Sequence, residues 1–359
     1  MHQTILRLPE PRTAKLSYAV RRFDPETPVT LVGSGLYRPR AGDIVLATVT
    51  EIGFHTHLEL PDGRRAAMYA GDEVVLAYGA RYAPDEYEAE VPDNLTDCHL
   101  VGKSGLAGYV LSRHATVAPP TRIRPLGLLA TPDGKVLNLE DFALGEPPAV
   151  LHAPRTVFVV GTSMNSGKST AMSGLIRGLS AVGLPVGAAK ITGTASGNDP
   201  WRYRDAGAID VLDFTDAGMP TTYQQPPERL LTGLLHLHAH LAARGAAVIV
   251  VEIADGLLQP ETRAILGSET LRELADAVIF SAADSAGALL GVQWLRSAGL
   301  PIAAVSGLLT IAPLAVNEVR ALIDVPVYSA TELEAPHVAL EIIGSGGVAD
   351  LRVDAPQVG

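Results

Sequence analysis

The stretch Gly161-Thr162-Ser163-Met164-Asn165-Ser166-Gly167-Lys168-Ser169-Thr170 constrains this chain more than any other. It follows an apolar run, TVFVV (156–160), and opens a segment whose apolar residues Met172, Leu175, Ile176, Leu179 and Val182 have helical spacing. A strand, a glycine-bounded turn and a helix in that order make a cradle for phosphate. Glycines let backbone N–H groups turn toward phosphate oxygens, and the helix N-terminus adds the positive end of its dipole. Lys168 is placed to bridge the outer phosphates, and the Ser169 hydroxyl to ligate Mg²⁺. Five residues, rather than four, separate Gly161 from Gly167, so the usual spacing would begin at Thr162. The other Gly-Lys-Ser, at Gly102-Lys103-Ser104, has no glycine four or five residues upstream and reads as a loop.

The surroundings of the loop predict the fold class. After about residue 155, apolar strands alternate with helical segments: VGAAK (186–190), helix 228–243, VIVVE (248–252), AVIFSA (277–282), helix 287–298, IAAVSG (302–307), helix 314–323 and PVYSA (326–330). That alternation predicts an α/β fold with a parallel sheet covered on both faces. Before residue 119 the texture is β-rich. Runs at 43–50, 55–60, 64–70 and 73–79 read as strands, with Pro61-Asp62-Gly63 as a hairpin turn. Four closely spaced strands predict a small barrel or sandwich. The Pro/Gly-rich stretch 119–154, with a second turn at Pro132-Asp133-Gly134, reads as a connector. The expected organisation is a β-rich domain over 1–118, a connector over 119–154 and a nucleotide-binding α/β domain over 155–359.

The loop, with Gly-Thr at its start and Gly-Lys-Ser at its end, resembles that of dethiobiotin synthetase and its relatives, including the cobyrinic-acid amidating enzymes and CTP synthetase. The resemblance covers roughly 155–345. Lys190, in AAKITGTASGND, resembles the family's second-strand lysine, which approaches the terminal phosphate and the substrate. Glu252, in VIVVEIADG, resembles its magnesium-binding glutamate. Asp205 lies where the family places a second magnesium-holding aspartate, with Asp199 as a competitor. The sequence departs from the family after Lys190, where Ile-Thr replaces Pro-Val, and after Glu252, where Ile-Ala-Asp-Gly replaces Gly-Ala-Gly-Gly. The phrases KITGTASGNDPW and VLDFTDAGMPTTY are similar to an uncharacterised P-loop family, some of whose members are described as D-glutamate N-acetyltransferase-like. Related ATPases that work as dimeric switches carry a lysine directly after the first glycine, where this chain has Thr162.

The resemblance implies ATP and Mg²⁺ as cofactors, with Ser169, Glu252 and Asp205 holding the metal and Lys168 and Lys190 acting at the transferred phosphoryl group. It implies a ligase or cyclase that phosphorylates a carboxylate or carbamate of a small metabolite before an amine attacks. Thr192, Thr194, Ser196, Asn198, Asp199 and Asp255 are candidates for substrate contact, with Asp255 also read as a helix cap. Two alternatives stand beside it: an acyltransferase whose loop binds a CoA or nucleotide phosphate, and a regulatory P-loop ATPase. Relatives are often dimers, so a homodimer is expected.

Charge narrows the partners. Lys plus Arg total 28 against 39 Asp plus Glu, a net −11, which argues against a broad nucleic-acid surface. No apolar run approaches a membrane span and the start has no signal-peptide pattern, so a soluble cytoplasmic protein is expected. The single cysteine, Cys98, excludes an intrachain disulfide, and Cys98-His99 has no local acid to complete a triad. His236 and His240 share a helical face that His238 does not, so the three read as structural. His55 and His57 read as a surface strand. RYAPDEYEAEVPDN (81–94), with Arg81, Asp85, Tyr87 and Glu88, reads as an acidic solvated loop.

Overall fold

The computed structural model describes residues 5–6, 14–33, 37–150 and 153–344. The chain divides into two compact units. The first comprises Met1–Gly145, Gly193–Asn198 and Phe214–Gln224; the second comprises Glu146–Thr192, Asp199–Asp213 and Gln225–Gly359. Among the described residues no helix is long and apolar enough to cross a membrane.

In the first unit, alternation of apolar residues sets the architecture. Val45, Ala47 and Val49 of strand Ile44–Glu51, and Val74, Leu76 and Tyr78 of strand Glu73–Tyr78, face one core with Cys98, Leu100, Ala107 and Ile123. The strands around that core close on themselves. Thr121–Ala130 pairs with Ile44–Glu51, which pairs with Glu73–Tyr78, then Leu106–Arg113, then Cys98–Gly102, which returns to Thr121–Ala130. Closure leaves no exposed edge within that ring, which is how small all-β units avoid edge pairing. The turn at Pro61-Asp62-Gly63 joins His57–Glu59 to Arg65–Ala67 in a two-stranded sheet.

The stretch 119–154, expected to be a connector, instead supplies the ten-residue strand Thr121–Ala130. Pro125 and Gly127 concealed it, because both demote a strand when read from sequence. The sheet accommodates them with a register shift between these two residues. The turn at Pro132-Asp133-Gly134 is formed, with Thr131 N–H donating to the Lys135 carbonyl at 2.8 Å. The stretch around 80–118 carries four strands, and Gly102-Lys103-Ser104 is the turn between two of them.

The second unit is a six-stranded parallel sheet in the order Asp210–Asp213, Val186–Lys190, Val248–Glu252, Arg155–Gly161, Ala277–Ser281, Ile302–Ser306. Its central strands are buried on both faces, as the continuous apolar runs required. Arg155–Gly161, the first of these strands in the chain, lies between the fourth and the fifth. Strand order therefore reverses there, and open α/β sheets bind ligands beyond the carboxyl ends of strands at such a point. Helix Lys168–Ala181 buries Met172, Leu175, Ile176 and Leu179 against the sheet. It also packs against helices Ala330–Leu333 and Pro336–Ile343, which the apolar periodicity does not predict. The run PVYSA is not a strand: Val327 makes a lone parallel bridge to Val305, and Ser329 then caps the helix Ala330–Leu333. Strand Asp210–Asp213 and helix Asn198–Asp205 are likewise not predicted by the apolar runs.

Candidate functional site

The loop strand ends at Gly161 and helix Lys168–Ala181 begins directly after Gly167. Two residues turn the chain through the left-handed region, Asn165 at φ 59° and Gly167 at φ 95°. A side chain at Gly167 would meet the Gly307 backbone at 2.9 Å, so glycine is required there by both conformation and space. Thr162 N–H donates to the Ser281 carbonyl at 3.0 Å, and the Ser166 carbonyl accepts from Leu308 N–H at 3.0 Å. The turn after strand Ile302–Ser306 thus braces the loop, a role that no residue pattern in SGLLT announced.

Lys168 is buried, and its amine donates to the Ser163 carbonyl at 2.7 Å and to the Asp255 carbonyl at 2.8 Å. Burial lowers its pKa, and Glu252 and Asp255 oppose that shift. The hydroxyls of Ser166, Ser281 and Ser306 are buried with no hydrogen-bond partner among the described residues.

Beside the loop, Lys190 and Glu252 end neighbouring parallel strands and are register partners. Their side chains lie 3.7 Å apart, and Lys190 also forms an ion pair with Asp199. Burial alone would lower the Lys190 amine, but Asp199 and Glu252 outweigh it and raise the pKa, so the lysine is charged. Asp199 is held below the ordinary carboxylate range: burial would raise it, and Lys190 overcomes burial. Glu252 is buried and accepts from the Ser169 hydroxyl at 3.1 Å and from the Tyr203 hydroxyl. Burial, then Glu252, push the Tyr203 phenol well above its usual value, so it stays a donor.

Helix Asn198–Asp205 decides between the two candidate aspartates. Asp199, in its first turn, faces the site with Tyr203 one turn later, as positions i and i+4 must. Asp205, at the far end of the helix, is exposed. The expectation that Asp205 holds the metal is therefore corrected in favour of the side on which Asp199 and Tyr203 lie. Tyr203 was missed, although its i+4 spacing from Asp199 was a usable signal.

The remaining candidates separate. Thr192 is buried in the second unit and donates to the Ala254 carbonyl at 3.3 Å. Thr194, Ser196 and Asn198 belong to the first unit, where Thr194 bridges to Thr221 and the neighbouring Gly197 N–H donates to Glu59 at 3.2 Å. Asp255 is not a helix cap: Gln259 caps the following helix by accepting from Thr262 N–H at 2.7 Å. Gly256 passes so close to the loop that a side chain there would meet the Thr162 carbonyl at 2.3 Å.

Other singled-out residues are structural. His236 and His240 meet edge to face, with ring centroids 4.7 Å apart, while His238 bonds Thr156 at 2.9 Å. His55 corrects the surface-strand reading. It is buried against Phe54 and Tyr87, and burial, then Arg81, lower its pKa to about 4. Arg81 and Tyr87 are also buried, Arg81 in an ion pair with Glu86, so 81–94 is not a wholly solvated loop. Burial raises the Cys98 thiol to about 12, which suits a core residue and not a nucleophile.

Whether this site fits Mg²⁺ is answered by its donors. Ser169 and Glu252 present hard oxygens side by side, and Mg²⁺ takes one or two protein oxygens with phosphates and waters completing its shell. Among the described residues no group of three His, Cys, Asp or Glu side chains is set to hold an ion unaided. Ser169 and Glu252 would supply two of those protein oxygens.

No protein-family model matches the chain, and no curated protein matches it. Among solved structures, it is similar to the signal recognition particle receptor FtsY from Elizabethkingia anophelis at 14% identity, covering 58% of this chain and 75% of that one, with a TM-score of 0.36. The signal recognition particle 54 kDa protein from Aeropyrum pernix K1, in complex with GDP, is 19% identical over 56% of this chain and 49% of that one, also at 0.36. The kinase domain of the Escherichia coli tyrosine kinase ETK is 14% identical over 43% and 67%, at 0.33.

Proposed function

We propose that the second unit binds a magnesium-complexed nucleoside triphosphate, ATP in the first instance, at Gly161–Thr170 and releases or transfers its terminal phosphoryl group. One observation carries this reading. Lys168 with Ser169, Lys190 and Glu252 come from three separate places in the chain and converge at the carboxyl edge of one sheet. All four belong to the second unit, and a nucleotide hydrolase with water as acceptor, whose bound state alters its contacts, is the leading form.

The residues divide the work. Loop amides and the helix N-terminus fix the phosphates. Lys168 leaves its two carbonyl partners for phosphate oxygens. Lys190, kept charged by Asp199 and Glu252, offsets charge gathering on the departing group. Ser169 and Glu252 would hold Mg²⁺, which when bound neutralises phosphate charge. Positioning and electrostatics account for most catalysis of this class.

The dethiobiotin-synthetase-like ligase is a second reading, resting on the resemblance of Lys190 to that family's second-strand lysine. Its buried, doubly paired ammonium suits a phosphorylated carboxylate intermediate as well as hydrolysis. Titration calorimetry with Mg·ATP, Mg·GTP and acetyl-CoA, followed by phosphate-release assays, tests these forms. Binding of Mg·ATP with release in water supports the hydrolase. Release only with an added small carboxylate and amine supports the ligase. Binding of acetyl-CoA alone rejects both in favour of acyl transfer. Lys168→Ala is expected to lower Mg·ATP affinity at least tenfold and abolish release.

A further inference from the structure

We propose that Asp255 takes the proton from the nucleophile as the terminal phosphoryl group is transferred. The inference rests on the phosphate-site reading above and extends it to a residue the loop pattern does not include.

Three observations converge on it. Asp255 is 7% exposed, and among the described residues no hydrogen bond reaches its carboxylate. It stands at φ 65°, a left-handed conformation that non-glycine residues rarely hold and that gathers at functional sites. Its own carbonyl grips the Lys168 amine at 2.8 Å, and both Lys168 and Lys190 act on its carboxylate. Phosphate drawn to Lys168 therefore arrives beside Asp255.

The chemistry of the missing partner follows. A buried carboxylate without a donor is unfavourable, so one retained in a cleft calls for a ligand that supplies the donor. Phosphate oxygens are acceptors and bear negative charge, so they are not that ligand. The partner must carry an O–H or N–H, as water or an acceptor hydroxyl or amine does. In the transfer with water, the oxygen–phosphorus bond forms as the bond to the bridging oxygen breaks. The electron pair of that broken bond leaves with the nucleoside diphosphate, and the proton of the attacking water passes to Asp255.

The test compares wild-type protein with Asp255→Asn and Asp255→Gly, the latter taking a left-handed backbone without strain. Mg·ATP affinity is measured by calorimetry, phosphate release by single turnover from pH 5 to 9 with and without a small carboxylate and amine, and stability by thermal melting. The expected result is affinity within about threefold of wild type or tighter, release slowed about a hundredfold or more, and melting temperatures not lowered. Undiminished release in both variants overturns the proposal. So does a loss of nucleotide binding together with lowered melting in both, which would make Asp255 structural. Wild type that binds Mg·ATP but releases no phosphate under either condition overturns the transfer step and Asp255's part in it. Wild type that binds no nucleotide removes the phosphate site itself, an outcome calorimetry separates from the others.

Discussion

At Asp255, burial first, against Lys168 and Lys190, pushes the carboxyl up to about 6, with Glu252 and Glu261 adding to the rise. An unfolded aspartate titrates near 3.9. Between those values the folded protein binds the extra proton, so stability falls as pH rises through that window, and the penalty is fully present above about 6. Asp255→Asn removes the charge and with it the penalty. The variant is expected to be more stable than wild type at pH 7.5 by on the order of 2 kcal/mol, with the difference fading below pH 4. Urea denaturation at the two pH values checks this, and a pH-independent difference would refute the assignment. Lys190 shows how far a single residue was legible. Its place at the end of an apolar run marked it, but its charge state depends on Asp199, nine positions later, and Glu252, at the end of the second strand after it in the chain.

Helix Lys168–Ala181 shows what an element adds. Its apolar spacing announced the face buried on the sheet, while Gly174 and Gly178 stand inside the helix, where glycine costs about 1 kcal/mol relative to alanine. In the structure a side chain at Gly178 would meet the Leu333 carbonyl at 2.6 Å and Ala339 Cβ at 2.8 Å. The glycines let two later helices approach, and neither of those helices was foreseen. Gly178→Ala gains about 1 kcal/mol of helix propensity, but overpacking against fixed backbone typically costs about 1–3 kcal/mol. Net destabilisation is therefore expected in denaturant melts, and a stabilised variant would contradict the close packing. Strand Thr121–Ala130 makes the complementary case: local rules against Pro125 and Gly127 hid an element that tertiary pairing rescued with a register shift.

For the whole molecule, a ligand that binds only the folded state raises stability by mass action, about 2.7 kcal/mol at a hundred times its Kd. Mg·ATP at that level is expected to raise Tm by roughly 5–11 °C, as for a unit of 150–250 residues, and Lys168→Ala to cut the shift to about half or less. An equal shift in the variant would place the nucleotide elsewhere. The net charge of −11 does not by itself oppose such binding, because phosphate would be held by loop amides and Lys168 at close range, whatever the total. The sequence by itself determined the parallel α/β fold, the loop and the two strand-end residues Lys190 and Glu252, because those depend on periodicity and on glycine, which act over a few residues. Only the tertiary structure decided that the β-rich unit closes into a ring, that 193–198 and 214–224 belong to it, that Asp199 rather than Asp205 faces the site, and that Asp255 is buried beside Lys168. Those outcomes follow from strand order, burial and long-range pairing, which no local pattern contains.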